Sequence, residues 1–333
     1  MDSGHFLPGQ KLAFALSLVV AANLFLQSSA VAQGANLYST GFEPVDGFDI
    51  NFPLADQAGW IGLGSDNLPE YRGNGIVTNF IEGNGQHAYI GYSPLSGTND
   101  TLNVWRPLNY DPIAAGTAVV RFSVSMAIFD STNRVYDCFR WSVYNNASGG
   151  QRLFSIDFDN STLGINYLLA DGDFVPTGFT FTPGGEYDLE VIMDFADNRW
   201  SAMLNGVLFV SAKPITTIGA TLTLGDIDAV WVYGPYTNAP GNNFMVFDNY
   251  RVTAEAAAPL PFQLEGFGRD ANGNFSLRLT GEPGRQYAIE ATTDFAGWSA
   301  LKTNSVGTDG TLDFVDTTAV NYSRSFYRAR LVR

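Results

Sequence analysis

The chain has 333 residues and a formal net charge of −15, with 18 Lys and Arg against 33 Asp and Glu, and only two His. So negative a surface repels nucleic acid, anionic lipid and sulfated polymers, and these are excluded as partners. A single thiol, Cys138, rules out an intrachain disulfide, and the scarcity of histidine leaves little material for zinc sites or Ser-His-Asp chemistry.

In chain order, Lys11, an apolar run over 12–26 and Ala30-Val31-Ala32 read as a signal peptide over 1–32, cleaved after Ala32. The apolar run is short for a bilayer, and no later run approaches spanning length, so no integral membrane span is expected after its removal. The protein is accordingly expected to be secreted or held at the cell surface. Of the two histidines, His5 leaves with the leader and His87 remains.

Beyond the leader, short apolar alternations are punctuated by Gly, Asn, Asp and Pro, and no amphipathic helix of three turns appears. Strands are predicted over 76–80, 88–92, 117–129, 139–144, 153–158 and 164–169, with 117–129 long enough to cross a sheet centrally. Cys138 lies at the edge of such an alternation and reads as a buried, inert thiol. Tyr187, Leu189, Val191, Met193 and Phe195 then alternate with mostly polar residues, Asp197-Asn198 turns the chain, and Asn205-Gly206 turns it again. This is a β-meander with one dry face and one wet, acidic face. Further strands are predicted over 229–233 and 244–252.

Residues 254–261, alanine-rich and closing on two prolines, read as a linker. Beyond it, strands over 275–279, 287–291, 298–301, 312–315 and 325–331 fit a small immunoglobulin- or fibronectin-like β-sandwich over 262–333. The expected fold class is therefore all-β: an antiparallel jelly-roll β-sandwich over 33–253 with a second, small β-sandwich domain. From Pro259 onward eight basic residues balance eight acidic ones, so the earlier part carries the whole charge deficit.

Glu186, Asp188 and Glu190 alternate along one strand and so share a face, the arrangement paired-carboxylate chemistry requires. Trp231 and Tyr233 share a face at period two, and Gly234-Pro235 presents Tyr236; such rings suit the apolar C–H faces of sugars. They are the candidate ligand-binding residues, core packing being the other reading of Trp231. Tyr71 and Tyr110 are further candidates for exposure, and Trp298 reads as a core anchor. Asp226-x-Asp228 and Asp171-Gly172-Asp173 read as turn chemistry, and Asp157-x-Asp159 as strand alternation.

The motifs Tyr38-Ser39-Thr40-Gly41-Phe42-Glu43, the meander from Asp194 to Asn205-Gly206, and Phe247-Asp248-Asn249-Tyr250-Arg251-Val252 resemble concanavalin A-like, laminin-G-like jelly rolls of secreted bacterial proteins. The tail, with Thr280-Gly281-Glu282-Pro283-Gly284, Tyr287 and Arg324-Ser325-Phe326-Tyr327, is similar to a small C-terminal β-module of such proteins. The first resemblance implies a structural Ca2+ held by Glu43 and Asp248, with Asp46 as a further ligand. The E-x-D-x-E spacing also resembles one family of β-glucanases, which would make Glu186 the nucleophile, Asp188 its tuner and Glu190 the acid. Three functions stay open: a non-catalytic binder of neutral polysaccharide or cell-envelope glycan, a retaining glycosidase, and a structural or adhesive surface protein.

Overall fold

The computed structural model describes residues 34–64, 72–83, 85–92, 100–233, 241–257 and 262–332. Among these residues the chain is all-β, and its helical content is two 3-10 turns, Pro44–Asp46 and Ala319–Asn321. The strands are β1 Ala35–Thr40, β2 Ile61–Gly64, β3 Asn74–Thr78, β4 Gln86–Gly91, β5 Thr101–Trp105, β6 Val119–Phe129, β7 Cys138–Tyr144, β8 Arg152–Asp159, β9 Gly164–Leu169, β10 Val175–Thr180, β11 Glu186–Asp194, β12 Arg199–Leu204, β13 Val207–Pro214, β14 Asp226–Val232 and β15 Phe244–Glu255. After them come β16 Gln263–Arg269, β17 Phe275–Thr280, β18 Gln286–Thr292, β19 Ser299–Ser305, β20 Thr311–Asp316 and β21 Phe326–Leu331. No helix of the described residues is long and apolar enough to cross a membrane.

The first fifteen strands form two antiparallel sheets. One runs β13-β12-β11-β6-β15-β4-β3, with β1 also paired to β15; the other runs β10-β9-β8-β7-β14-β5-β2. Alternation decides which residues meet between them. Phe122, Val124 and Met126 of β6 and Leu189, Val191 and Met193 of β11 face Phe139 and Trp141 of β7, Phe154 and Ile156 of β8, and Ile227, Ala229 and Trp231 of β14 in one continuous core. Phe154 stacks on Trp200 with ring centroids 4.0 Å apart, and Trp141 packs 5.1 Å from Phe122 and 5.2 Å from Phe247. A bulge between Asp248 and Arg251, with Asn249 at φ 51, breaks the alternation of β15. It lets Phe247 and Tyr250, three residues apart, both enter the core.

The remaining strands form two three-stranded antiparallel sheets, β16-β17-β20 and β19-β18-β21. Between them lies a small core of Leu279, Tyr287 and Val306. Trp298 is not part of it, against the sequence expectation: it is half-buried under the guanidinium of Arg328, 4.2 Å from the ring. The signal peptide and the prolines of the linker lie outside the described residues.

Candidate functional site

The outer face of the second sheet carries the least conventional chemistry in the molecule. In β14, Ile227, Ala229 and Trp231 point into the core, so Asp226 and Asp228 point the other way. This corrects the turn reading of Asp226-x-Asp228: both are strand residues, and Asp228 is only 5% exposed. Gly225 lets the chain enter β14 at close range, since a Cβ there would lie 2.4 Å from the Asn145 carbonyl oxygen.

Neighbouring strands complete the face. Val230 pairs with Asn103 and Ala229 with Val104, a register that sets Trp105 across from Asp228. On the other side Asp226 pairs with Tyr144 and Asp228 with Ser142. Asn103 Nδ2 donates to Asp228 Oδ2 at 3.0 Å, while Asp228 Oδ1 is buried and receives no N–H or hydroxyl.

Burial pushes the Asp228 carboxyl well above the usual carboxylate range, and the charge of Asp226 adds to the push. Burial likewise raises Asp226, to about 6. The Tyr144 hydroxyl is pushed up to about 12, by burial first and then by Asp228. One strand further out, Arg140 Nε donates to Asp157 Oδ1 at 2.5 Å, and the guanidinium lies 4.7 Å from the Phe174 ring. Burial, then the charges of Asp157 and Asp159, pushes the Cys138 thiol to about 12; it is half-buried and has no thiolate character at neutral pH.

Trp60, Trp141, Trp200 and Trp231 are fully buried, whereas Trp105 is half-buried and belongs to none of the core clusters. Trp105, Asn103, Tyr144 and the Asp226–Asp228 pair therefore combine one apolar ring with donors and acceptors on a single face.

The sequence-derived candidates fall elsewhere. Trp231 and Tyr233 are buried, their rings 4.5 Å apart, and Trp231 Nε1 donates to Asp137 Oδ2 at 2.9 Å. Their shared face is the inner one, so the proposed stacking platform is corrected to core. Tyr236 and Tyr71 lie outside the described residues. Tyr110 is half-buried and bonded through its hydroxyl to Thr117 Oγ1.

Glu186 and Asp188 line an open groove of about 400 Å³ with Glu82, Ser125, Tyr187 and Asn205. Glu186 Oε1 accepts from Glu82 N at 3.0 Å, and Asp188 Oδ1 from Ser125 Oγ at 2.8 Å. Glu190 lies outside this groove, ion-paired with Arg121 at 3.1 Å. Two of the three carboxylates thus share a groove, and the third is held by a cation.

Glu43 and Asp248 both lie beside Gly41. A Cβ built on Gly41 would lie 3.7 Å from Asp248 Oδ1 and 3.8 Å from Glu43 Cγ. Glu43 Oε1 accepts from Gln86 N at 2.9 Å, and Asp248 Oδ1 from Asn249 N at 2.6 Å. Asp46 Oδ2 accepts from Thr40 Oγ1 and Gly41 N, each at 3.0 Å. His87 stands behind them, fully buried. Its Nε2 accepts from Phe80 N at 3.3 Å and Ile81 N at 3.2 Å, which places the ring proton on Nδ1, 3.5 Å from Asp248 Oδ2. Among the described residues no three His, Cys, Asp or Glu side chains converge as a metal-binding group.

The fold defined by these strands is that of a two-layer antiparallel β-sandwich protein. No protein-family model matches the chain, and no curated protein does. Among solved structures, lectin II from Ulex europaeus is similar at 13% identity and a TM-score of 0.41, over 63% of this chain and 96% of its own. A lectin UEA-II complexed with galactose aligns at 11% identity and 0.41, over 66% of this chain and 98% of its own. Domain 4 of a GH43 extracellular arabinanase from Geobacillus stearothermophilus, in complex with arabinotriose, aligns at 13% and 0.37, over 68% and 95%. A sialidase aligns at 11% and 0.40, the match covering 59% of this chain and 17% of that one.

Proposed function

We propose that the protein is an exported, non-catalytic binder of neutral polysaccharide or cell-envelope glycan, and that the outer face of its second sheet is the binding site. The observation that carries this reading is Trp105, half-buried and outside the core clusters, at the end of β5 on the face that also carries Asn103 and Tyr144. An aromatic ring receives the C–H face of a pyranose, and polar side chains beside it can bond the sugar's hydroxyls. Asn103 and Tyr144 supply further polar groups beside it. The net charge of −15 favours an uncharged ligand over a uronate or sulfated one. Against the glycosidase reading stands Glu190, which is ion-paired with Arg121 and lies outside the groove that Glu186 and Asp188 line.

Affinity electrophoresis through xylan, arabinan, galactan and mixed-linkage glucan tests this proposal. Retardation by at least one polymer is expected, with a loss of tenfold or more in Trp105→Ala at an unchanged melting temperature. Equal retardation of Trp105→Ala and the parent would remove the site. Reducing ends released in parallel assays would return the enzyme reading.

A structural Ca2+ between Glu43 and Asp248 is a separate proposal, supported by their approach around Gly41. If it binds there, a chelator lowers the melting temperature of the parent and leaves that of Glu43→Ala unaltered. A melting temperature indifferent to chelator and to added Ca2+ would dismiss the ion.

A further inference from the structure

The outward side chains of the second sheet fall into cross-strand rows. Register sets Asn103 of β5, Val230 of β14, Arg140 of β7, Asp157 of β8 and Asn166 of β9 in one such row. It crosses four strand spacings, about 19 Å. Two accessible rings stand on this face. One is Trp105, at the end of β5; the other is Phe174, 43% exposed, its ring 4.7 Å from the Arg140 guanidinium. We infer that Trp105 and Phe174 are separate stacking platforms for one glycan chain laid across the strands, and that the ligand is a run of several linked neutral sugars, not a single terminal sugar. This deepens the glycan-binding reading above and rests on it.

The spacing of the platforms carries the inference. Trp105 and Arg140 are two strands and two residues apart, which puts their Cα atoms on the order of 12 Å from each other. A pyranose in an extended chain advances roughly one strand spacing, about 5 Å, per ring. The two aromatic rings therefore cannot stack on the same sugar, and about one or two linked sugars fill the interval between those they hold. The floor between them is low: Val230, Ser142 and Ser155 are short and buried, and the two serine hydroxyls are bonded to each other at 2.8 Å. Ile61 of β2, 40% exposed, lies across from Trp105 and widens that platform.

The chemistry of the second platform fits the same ligand. Phe174 stands in the connection from β9 to β10, and the guanidinium beside it is already engaged, Arg140 Nε donating to Asp157 Oδ1 at 2.5 Å. The platform thus offers a ring face without an unpaired cation to attract a uronate or sulfate. A peptide is a poorer occupant. β14, β7 and β8 are paired on both sides, so an extended chain laid over them finds no free backbone with which to bond. Stacking on two platforms makes affinity depend on length, because a short run of sugars engages one ring and a longer run engages both at once.

The test is titration calorimetry of the parent, Trp105→Ala, Phe174→Ala and Phe174→Trp with oligosaccharides of the polymer that binds best, from the disaccharide to the hexasaccharide. In the parent, affinity is expected to rise about tenfold or more between the shortest and longest oligosaccharides. Phe174→Ala loses that rise: the hexasaccharide binds about tenfold more weakly and the disaccharide within about twofold of the parent. Phe174→Trp restores the rise, and an unchanged melting temperature shows that the fold is intact. Trp105→Ala weakens the hexasaccharide as well. Equal affinity of the parent for every length would overturn the inference. So would a Phe174→Ala variant that binds the hexasaccharide like the parent, or loses affinity equally at all lengths, while Trp105→Ala stays defective; the glycan site itself would then stand. Failure of the parent to bind any polymer would take down the glycan reading and the inference with it.

Discussion

Asp228→Asn is expected to stabilise the protein at pH 7–8 by about 2 kcal/mol, a rise in melting temperature of roughly 4–8 °C. The side chain is 5% exposed, and its Oδ1 has no N–H or hydroxyl donor. In the unfolded chain an aspartate loses its proton near pH 4, whereas in the fold the carboxyl keeps it far higher. Folding at neutral pH therefore draws a proton from solvent onto Asp228, and this costs stability in proportion to the distance from the unfolded pKa. The native state binds more protons than the unfolded one, so the contribution of the pair worsens as pH rises through the window from about 4 upward. An amide reproduces the uncharged form, and its oxygen still accepts from Asn103. The gain should shrink as pH falls towards 4 and vanish below it, where both states of the parent are protonated. Calorimetry of parent and variant from pH 4 to 8 measures it. A loss of stability that is the same at every pH would show that Asp228 is held as an ordinary ionised residue.

Trp141→Ala is expected to cost about 3–5 kcal/mol, on the order of 10–15 °C in melting temperature. Trp141 lies on the inner side of β7 and meets the aromatic residues of the facing sheet, Phe122 of β6 and Phe247 and Tyr250 of β15. Its Nε1 donates to Met126 Sδ at 3.4 Å, so truncation opens a cavity and leaves that sulfur unpartnered. The neighbouring residue Ser142 pairs with Asp228, so the same loss loosens the floor of the site. Trp298→Ala is the control, because that ring is only half-buried beneath Arg328. Urea unfolding of both variants settles the comparison, and a Trp141→Ala cost under about 1 kcal/mol would contradict the packing described for the inter-sheet core.

Much of the fold was legible because alternation is a local signal. The strand read over 164–169 coincides with β9, and the meander from Glu186 to Val210 appears as β11, β12 and β13 with both turns in place. The strands that escaped notice are short or interrupted: β2 holds two glycines in four residues, and β10 contains Pro176 and Gly178. The omission of β5 mattered most, since it carries Asn103 and Trp105; Leu102 and Val104 gave the pattern, in only five residues. Asp226 and Asp228 were misread because an Asp-x-Asp pair after a glycine looks like a turn, whereas their partner Asn103 lies 125 residues earlier in the chain. Alternation also leaves phase undetermined. Trp231 and Tyr233 share a face in either phase, and the core that includes Ile227 and Ala229 made that face the inner one. The wet face of β11 was read correctly, but Arg121 and Ser125, which occupy its carboxylates, belong to β6 and are adjacent only after pairing.

The pairing of β1 with β15 sets Ala35 opposite Ala254, so the first sheet is closed by segments from opposite ends of the sandwich. Such distant partners must wait for each other, and every earlier intermediate leaves the β15 edge of β6 unpaired. During synthesis no shorter product can reach this architecture, and a chain stopped before Phe244 would be a substrate for proteases and aggregation, not a smaller working protein. Quality control of this molecule is thus written into its last long strand.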